Sequence, residues 1–299
     1  MPGSRTALCV ALAVAVLLSG CMDLGVGPGG GNTQTPTEPD PDAVPDPDLG
    51  NVSDDPNGGP DPDGIRSAAL SAMADVGTYR VEGRLVQAYR AESNQTATVN
   101  TTTLVNRTDR TLYTNQTRST GDRTWRVETY HVDGATYSQS TFYTQNYGSR
   151  WIVRRPANRT RTWNRLDVLA RQRAVLAAAN VSLVNTTSVD GTETYLVTAE
   201  LSGEAYERLG GGSLAGAAEG GSVTVESATI WFWIATDSHL PVRSKGSLDL
   251  AVTVEGTNTA ASRTIRVEQL LTLDYRGYGG RVNVSLPERA TERAVNLST

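Results

Sequence analysis

The chain has 299 residues, with 27 Lys and Arg against 32 Asp and Glu, so its formal net charge at neutral pH is −5. Both cysteines, Cys9 and Cys21, lie within the first 21 residues, so the rest of the chain cannot form a zinc–cysteine site. No basic cluster with interleaved aromatic residues occurs, which excludes an ordinary nucleic-acid-binding surface.

The N-terminal residues have the pattern of an export signal. Arg5 is followed by an apolar run over residues 7–18, which is shorter than the roughly 20 residues that a membrane-spanning helix needs. The run leads into Leu-Ser-Gly-Cys at 18–21, which resembles a lipobox, the signal for joining a lipid to cysteine. We therefore predict that residues 1–20 are removed and that Cys21 carries lipid. The alternative is a plain secretory signal in which Cys21 is incidental.

The lipobox also predicts where the protein works. A cysteine-linked lipid would hold it at the cell surface, on the outer face of the cytoplasmic membrane. A single acyl chain gives only marginal anchoring, so we expect a lipid with two chains on Cys21. Cys9 would be lost with the signal, leaving no pair of thiols for a disulfide.

Residues 21–63 have the composition of a linker. From Met22 to Asp63 there are ten acidic residues and no Lys or Arg, with many Pro and Gly and few large apolar side chains. Such a segment buries too little apolar surface to offset its ordering entropy, so we predict a disordered acidic spacer. Asp-Pro-Asp triplets at 40–42, 46–48 and 61–63 could ligate calcium, but no glycine-turned loop fixes them, and a solvated tail is favoured.

Residues 64–299 are predicted to form one α+β domain. The apolar spacing of 65–76 indicates a helix, after which the period changes to two and indicates long strands with one apolar face. Strands of this kind in succession are typical of an antiparallel sheet with one face in water. About ten strands are expected. The apolar alternation is clearest over 81–85, 97–105, 125–129, 248–254 and 265–273, while Val223 and Val225 lead into a fully apolar strand centre at 229–234.

Two further helical patterns interrupt the strands. Residues 164–180 place an apolar stripe at helical spacing, and residues 202–209 form a shorter pattern that ends in three glycines. We expect these helices to cover the apolar face of the sheet.

Ten asparagines begin the glycosylation pattern Asn-x-Ser/Thr, about three times the number that chance predicts for this Ser- and Thr-rich chain. Asn100 and Asn106 stand out of phase with Val99 and Val105, so they should project from the wet face. The sequons of the predicted domain that we take as glycosylation candidates are Asn94, Asn100, Asn106, Asn115, Asn158, Asn180, Asn185 and Asn283; Asn51 and Asn296 also match the pattern.

No catalytic or cofactor-binding motif is recognised. There is no nucleophile elbow and no P-loop, and His131 with His239 would make only a weak metal site. Trp231 and Trp233 could stack on a sugar or a lipid, although packing in a strand centre explains them more simply. We therefore predict a protein that is not an enzyme and has no metal or cofactor.

The order of elements resembles a known fold. The segments 132–137, Val-Asp-Gly-Ala-Thr-Tyr, and 189–197 precede 230–243, Ile-Trp-Phe-Trp-Ile-Ala-Thr-Asp-Ser-His-Leu-Pro-Val-Arg, as in the lipoprotein-carrier fold. That fold is shared by periplasmic lipoprotein chaperones and mycobacterial lipid-carrying lipoproteins, and the chain is also similar to surface lipoproteins of halophilic archaea. The resemblance implies a large curved antiparallel sheet, an incomplete β-barrel, with helices covering its concave face around an apolar cavity.

These observations lead to two main functional hypotheses. In the first, the protein binds a lipid or another acyl-chain ligand in the cavity, lined by Leu85, Val127, Leu176 and Trp231. In the second, it is an envelope interaction protein whose barrel is filled by its own side chains. A hydrolase is a third and weaker hypothesis. Membrane attachment through Cys21 is common to the first two, and the protein partners are left open.

Overall fold

A computed structural model describes residues 61–90, 94–209, 222–254 and 263–297. Within these residues there are six helices and twelve strands. The helices are α1 (Pro62–Asp75), α2 (Thr141–Tyr147), α3 (Arg159–Leu166), α4 (Val168–Ala178), α5 (Gly203–Arg208) and α6 (Glu288–Arg293). The strands are β1 (Thr78–Arg90), β2 (Gln95–Asn106), β3 (Thr111–Thr120), β4 (Arg123–Val132), β5 (Ala135–Gln139), β6 (Trp151–Arg154), β7 (Asn180–Val189), β8 (Thr192–Glu200), β9 (Ser222–Ala235), β10 (Pro241–Val254), β11 (Arg263–Arg276) and β12 (Val295–Asn296).

All twelve strands belong to one curved sheet in the order β12-β6-β5-β4-β3-β2-β1-β11-β10-β9-β8-β7. Every neighbouring pair is antiparallel except β12 and β6. The sheet does not close into a barrel, and helices cover its concave face, so the predicted fold class is confirmed. Pairing of β1 with β11 joins the first and last long strands at the centre of the sheet.

The two faces of the sheet follow the alternation in the sequence. On β1, Tyr79, Val81 and Leu85 are buried, while Arg80 and Arg84 point the other way and are exposed. We call the buried side, which faces the helices, the covered face, and the other side the open face. Side chains alternate between the two faces along a strand, and paired residues on adjacent strands share a face. The strand pairing therefore assigns each strand residue to the covered or the open face.

Helix α1 begins at Pro62, three residues before the predicted start. Asp61 caps it by accepting hydrogen bonds from the backbone N–H groups of Asp63 and Gly64, both at 3.1 Å. Aspartate at the N-cap followed by proline at the first helical position is a favourable helix start. The third Asp-Pro-Asp triplet therefore begins a helix, and Ile65, Ala69 and Met73 bury its apolar side.

The prediction of one helix over 164–180 was wrong, because Asp167 ends α3 and begins α4. Its carboxylate accepts a hydrogen bond from the backbone N–H of Ala170 at 3.1 Å, as an N-cap does. Apolar spacing continues across this break and does not reveal it. Within α4, Gln172 is buried and the neighbouring Arg173 is exposed.

Candidate functional site

A small cavity lies between the covered face and the start of α4. Its volume is about 10 Å³, close to the minimum that holds one water molecule. Residues of the three central strands form its floor and walls, and Val168 of α4 lies over it. The lining residues are Val81, Gly83, Leu85, Val99, Thr101, Thr103, Val168, Leu271 and Leu273.

The cavity lies where β1 carries a glycine on its covered face. Gly83 contributes no side chain, and its partner on β2 is Thr101. A Cβ atom at Gly83 would lie 3.0 Å from Cδ2 of Leu273, so this leucine occupies part of the space that a side chain would use. A glycine within a strand often marks a place where another group approaches closely.

One edge of the cavity borders a group of buried polar side chains that the sequence analysis missed. Gln87 and Gln269 face each other across β1 and β11, and Gln116 lies on β3 beside Thr101. They are 0%, 3% and 4% exposed. Among the residues that the structure describes, no hydrogen-bond partner is found for the Nε2 atoms of all three or for Oε1 of Gln269. Leaving a buried polar group unpaired costs about 1–3 kcal/mol.

Tyr89 and Arg118 extend this group of polar residues. The Tyr89 hydroxyl donates a 3.1 Å hydrogen bond to Oε1 of Gln87. Burial raises the pKa of Tyr89 to about 12, and the adjacent Arg118 guanidinium partly offsets that rise. The Arg118 side chain also lies over the ring of Trp125, 5.5 Å from its centre. We call Gln87, Gln116, Gln269, Tyr89 and Arg118 the amide cluster.

A second polar group holds the helices against the opposite edge of the cavity. The carboxylate of Asp167 accepts hydrogen bonds from Tyr79 and from Nε of Arg107, both at 2.8 Å. Arg107 also donates to the backbone oxygens of Met73, at 2.7 Å, and Val76, at 2.9 Å, at the end of α1. Burial, and then the charge of Asp167, raise the pKa of Tyr79 well above its ordinary value. This group fixes α1 and the start of α4 relative to β1.

The four predicted lining residues do not come together around the cavity. Leu85 lines it, and Leu176 of α4 is completely buried in the core nearby. Val127 is buried on the covered face of β4, beside Gln116 and away from the cavity.

Trp231 lies on the open face, so the prediction that it lines a covered-face pocket was wrong. It pairs with Lys245 and Thr198, whereas its neighbour Phe232 is completely buried on the covered face. The run of apolar residues at 229–234 shows no alternation, so the sequence could not assign its faces.

The open face carries a shallow polar depression of about 360 Å³ over β1, β2 and β3. Two sequons lie side by side in it, because Asn100 pairs with Thr117 and Thr102 pairs with Asn115. Asn100 is exposed, while Asn115 is half-buried and accepts a 2.7 Å hydrogen bond from Nε of Arg126.

The remaining sequons divide by exposure. Asn106 is half-buried, and its amide donates a 2.8 Å hydrogen bond to Asp109. Asn185 is also half-buried. The exposed ones are Asn94, Asn158, Asn180, Asn283 and Asn296, of which Asn158 caps α3 by accepting from the backbone N–H of Arg161 at 2.8 Å. Cys21, the spacer before residue 61 and Asn51 lie outside the described residues.

His131 is buried on β4, where its Nδ1 lies 3.0 Å from the hydroxyl of Thr136, and burial lowers its pKa. His239 lies in the turn before β10, far along the sheet order from β4. Over the described ranges, no group of three or more His, Cys, Asp and Glu side chains is arranged to hold a metal ion. No helix in these ranges is long and apolar enough to cross a membrane.

A sequence signal for the amide cluster was nevertheless present. Gln269 lies within the alternating run 265–273 and Gln87 directly follows the run 81–85, at positions where the alternation predicts inward-facing residues. Polar residues at inward-facing positions are rare, because a buried polar group needs a partner.

No protein-family model matches the chain, and no curated protein sequence matches it. Among solved structures, it is similar to LprF from Mycobacterium bovis, with a TM-score of 0.43 and 14% identity over 77% of this chain and 99% of that one. It is also similar to the Mycobacterium tuberculosis lipoprotein LppX, with a TM-score of 0.39 and 14% identity over 75% of this chain and 100% of that one. A putative outer membrane lipoprotein-sorting protein domain from Vibrio parahaemolyticus has a TM-score of 0.26 and 8% identity, covering 77% and 96% of the two chains. At these scores, the neighbours carry no information about what this chain binds.

Proposed function

We propose that this protein is anchored through lipid on Cys21 to the outer face of the cytoplasmic membrane, and that it binds a lipid or another hydrophobic ligand between its helices and its sheet. The observation that supports ligand binding best is the cavity beneath Val168. It lies at the centre of the covered face, among apolar side chains, and small residues on β1 and β2 form its floor.

A ligand of useful size would enlarge this cavity. Small-molecule pockets typically measure about 300–1,000 Å³, far above the 10 Å³ present here. Ligand entry therefore requires α4 to move away from the sheet. The Asp167 end of α4 is held by Tyr79 and Arg107, so the movement would be larger toward Ala178. The gain comes from burying apolar surface, at about 25 cal/mol per Å².

The size of the cavity favours a second candidate function. If the helices stay in place, the core is filled by its own side chains, as in an envelope interaction protein that binds no small ligand. Tyr79, Phe232, Met73 and Leu169 are completely buried in one continuous core. In that case the chain's partners would contact its outer surfaces.

Two measurements on the native protein separate these functions. The first is extraction of the purified protein with organic solvent, followed by mass spectrometry. The second is titration with a fluorescent fatty-acid probe. The ligand-binding function predicts a co-purifying lipid and saturable probe binding. Neither would be observed for a protein with a permanently filled core.

A pair of variants tests the location. Thr101→Trp places a large ring in the cavity and should abolish probe binding, whereas Thr102→Trp places the same ring on the open face and should not. If both variants fold and lose probe binding equally, the cavity is not the binding site.

A further inference from the structure

The amide cluster contains more hydrogen-bond donors than acceptors. The groups for which the described residues provide no partner are three side-chain NH2 groups, on Gln87, Gln116 and Gln269, and one oxygen, on Gln269. The guanidinium of Arg118 adds a positive charge on the same face, two residues from Gln116 on β3. Buried polar groups in native proteins are nearly always paired, so this arrangement indicates a partner rich in acceptors.

Four of these five side chains lie at one end of the cavity, whereas Gln116 lies level with Gly83, four positions back from Gln87 in the register. Gln87 and Gln269 are direct partners on adjacent strands, which places their Cβ atoms about 5 Å apart. Tyr89 links this pair to β3, because its hydroxyl donates to Gln87 and also interacts with the Arg118 guanidinium.

The cluster also adjoins the apolar cavity. Leu85, which lines the cavity, is two positions before Gln87 on the same face of β1. Leu271, which also lines it, is two positions after Gln269 on the same face of β11. On the other strands, Val99 pairs with Arg118 and Thr101 pairs with Gln116. A polar group at the cluster would therefore be continuous with an apolar chain in the cavity.

Acidic side chains are missing from this part of the sheet. In the described residues, the register of β1, β2, β3, β4, β10 and β11 places no Asp or Glu on the covered face. The helix-layer carboxylate of Asp167 is held at the opposite edge of the cavity by Arg107 and Tyr79. The face around Arg118 is thus donor-rich and positively charged, which suits an anionic oxygen group and disfavours a cation.

We propose that the amide cluster binds the anionic oxygen group, a carboxylate or a phosphate, of an amphiphile whose apolar chain occupies an enlarged cavity under α4. The inference rests on the proposed ligand-binding function and specifies the chemistry of the ligand. Arg118 supplies charge, and the amides of Gln87 and Gln269 supply hydrogen bonds that fix the orientation of the head group. The ligand then enters with its head group toward the end of β1 and its chain toward Gly83.

The test uses the mature full-length protein and three competitors that share one alkyl chain: dodecanoate, dodecyl phosphate and dodecanol. Each displaces a fluorescent fatty-acid probe. We expect at least one of the two anions to bind about tenfold or more tightly than the alcohol, because hydrogen bonds to a charged group are strong. The comparison of dodecanoate with dodecyl phosphate decides which head group is preferred.

Two variants locate the effect. Gln269→Leu removes an unpaired buried amide and keeps the charge, and Arg118→Met removes the charge. Each should reduce the preference for the anion about tenfold, with dodecanol unaffected. The matched controls are Gln145→Leu and Arg84→Met, both at exposed positions, and neither should change the preference. Gln269→Leu should fold as well as the parent. If Arg118→Met does not fold, Gln269→Leu alone therefore tests the preference for the anion.

The outcomes are distinguishable from failure of the proposed function. If all three competitors bind equally, or if both variants keep the preference for the anion, ligand binding stands and the head-group site is overturned. If none of the competitors displaces the probe and the probe itself does not bind, the ligand-binding function fails.

Discussion

The hydroxyl of Tyr79 donates a 2.8 Å hydrogen bond to Asp167 and accepts one of 3.0 Å from the backbone N–H of Leu169, the second residue of α4. All three residues are buried, so these bonds form away from water. One side chain of the central strand thus fixes both the carboxylate that caps α4 and the first turn of that helix. The position of the helix over the cavity depends on this contact.

Tyr79→Phe should lower the free energy of unfolding by about 1–3 kcal/mol, because the change removes one hydroxyl and leaves two buried groups with fewer partners. Urea denaturation measures the effect. The matched control is Tyr137→Phe. Tyr137 lies on β5 and is half-buried, so this change should lower stability by less. Equal stability of the Tyr79 variant and the parent would mean that the contact does not hold α4.

Arg107→Met should have a larger effect, of about 3–5 kcal/mol, because it leaves the Asp167 carboxylate buried with its cationic partner removed. It also removes the donor that the last carbonyls of α1 use. Thermal and chemical denaturation would show the loss, with Arg84→Met as an exposed control. Recovery of stability in Arg107→Met/Asp167→Asn would confirm that the uncompensated charge is the cause.

Stability should decrease as the pH falls below about 6.5, the ordinary pKa of histidine. Burial lowers the pKa of His131 in the folded protein, so the unfolded chain takes up a proton first and is stabilised relative to the folded state. The contribution is therefore complete above the unfolded pKa and is lost as the pH falls toward the folded pKa. Over this pH range, the unfolding free energy of His131→Gln should change less with pH than that of the parent.

His239→Asn is the control for this pH dependence. His239 is only half-buried and has a backbone φ of 56°, a conformation that asparagine tolerates. If the slope of stability against pH changes equally in both variants, the effect comes from general charge and not from burial of His131.

Cys21→Ser should release the protein from the membrane fraction or leave its signal uncleaved. The reason is the lipobox-like sequence before Cys21, and serine does not provide the thiol that the lipid joins. Fractionation and intact mass of the native protein test the prediction. An unchanged mass and an unchanged membrane fraction would contradict it, and Cys9→Ser serves as the control.

Glycan occupancy should be higher at Asn100 than at Asn106. Asn100 is exposed beside the open-face depression, whereas the amide of Asn106 is half-buried and bonded to Asp109. Peptide mapping of protein from its native host would measure both. A map in which every sequon is unmodified would contradict the prediction, as would one in which Asn106 is the more occupied site.

The sequence predicted the sheet better than it predicted the site. Alternation over 81–85 and 97–105 assigned the faces of β1 and β2 correctly, because each has a polar residue between its apolar ones. The centre of β9 is uniformly apolar, so no alternation shows which residues share a face, and Trp231 was assigned to the wrong face. The break at Asp167 was missed because it depends on polar contacts of that carboxylate, with nearby Ala170 and distant Tyr79, and apolar spacing does not record them.

The pairing of β1 with β11 has a consequence for how the protein is made. Arg90 and Glu268, which form an ion pair across these strands, are 178 positions apart. The centre of the sheet can therefore close only after nearly the whole chain is available, and contacts between such distant segments form slowly. Under the proposed export, the chain would thus complete the centre of its sheet only after its last long strand has emerged. A protein truncated before β11 would leave the β1 and β10 edges unpaired and prone to aggregate.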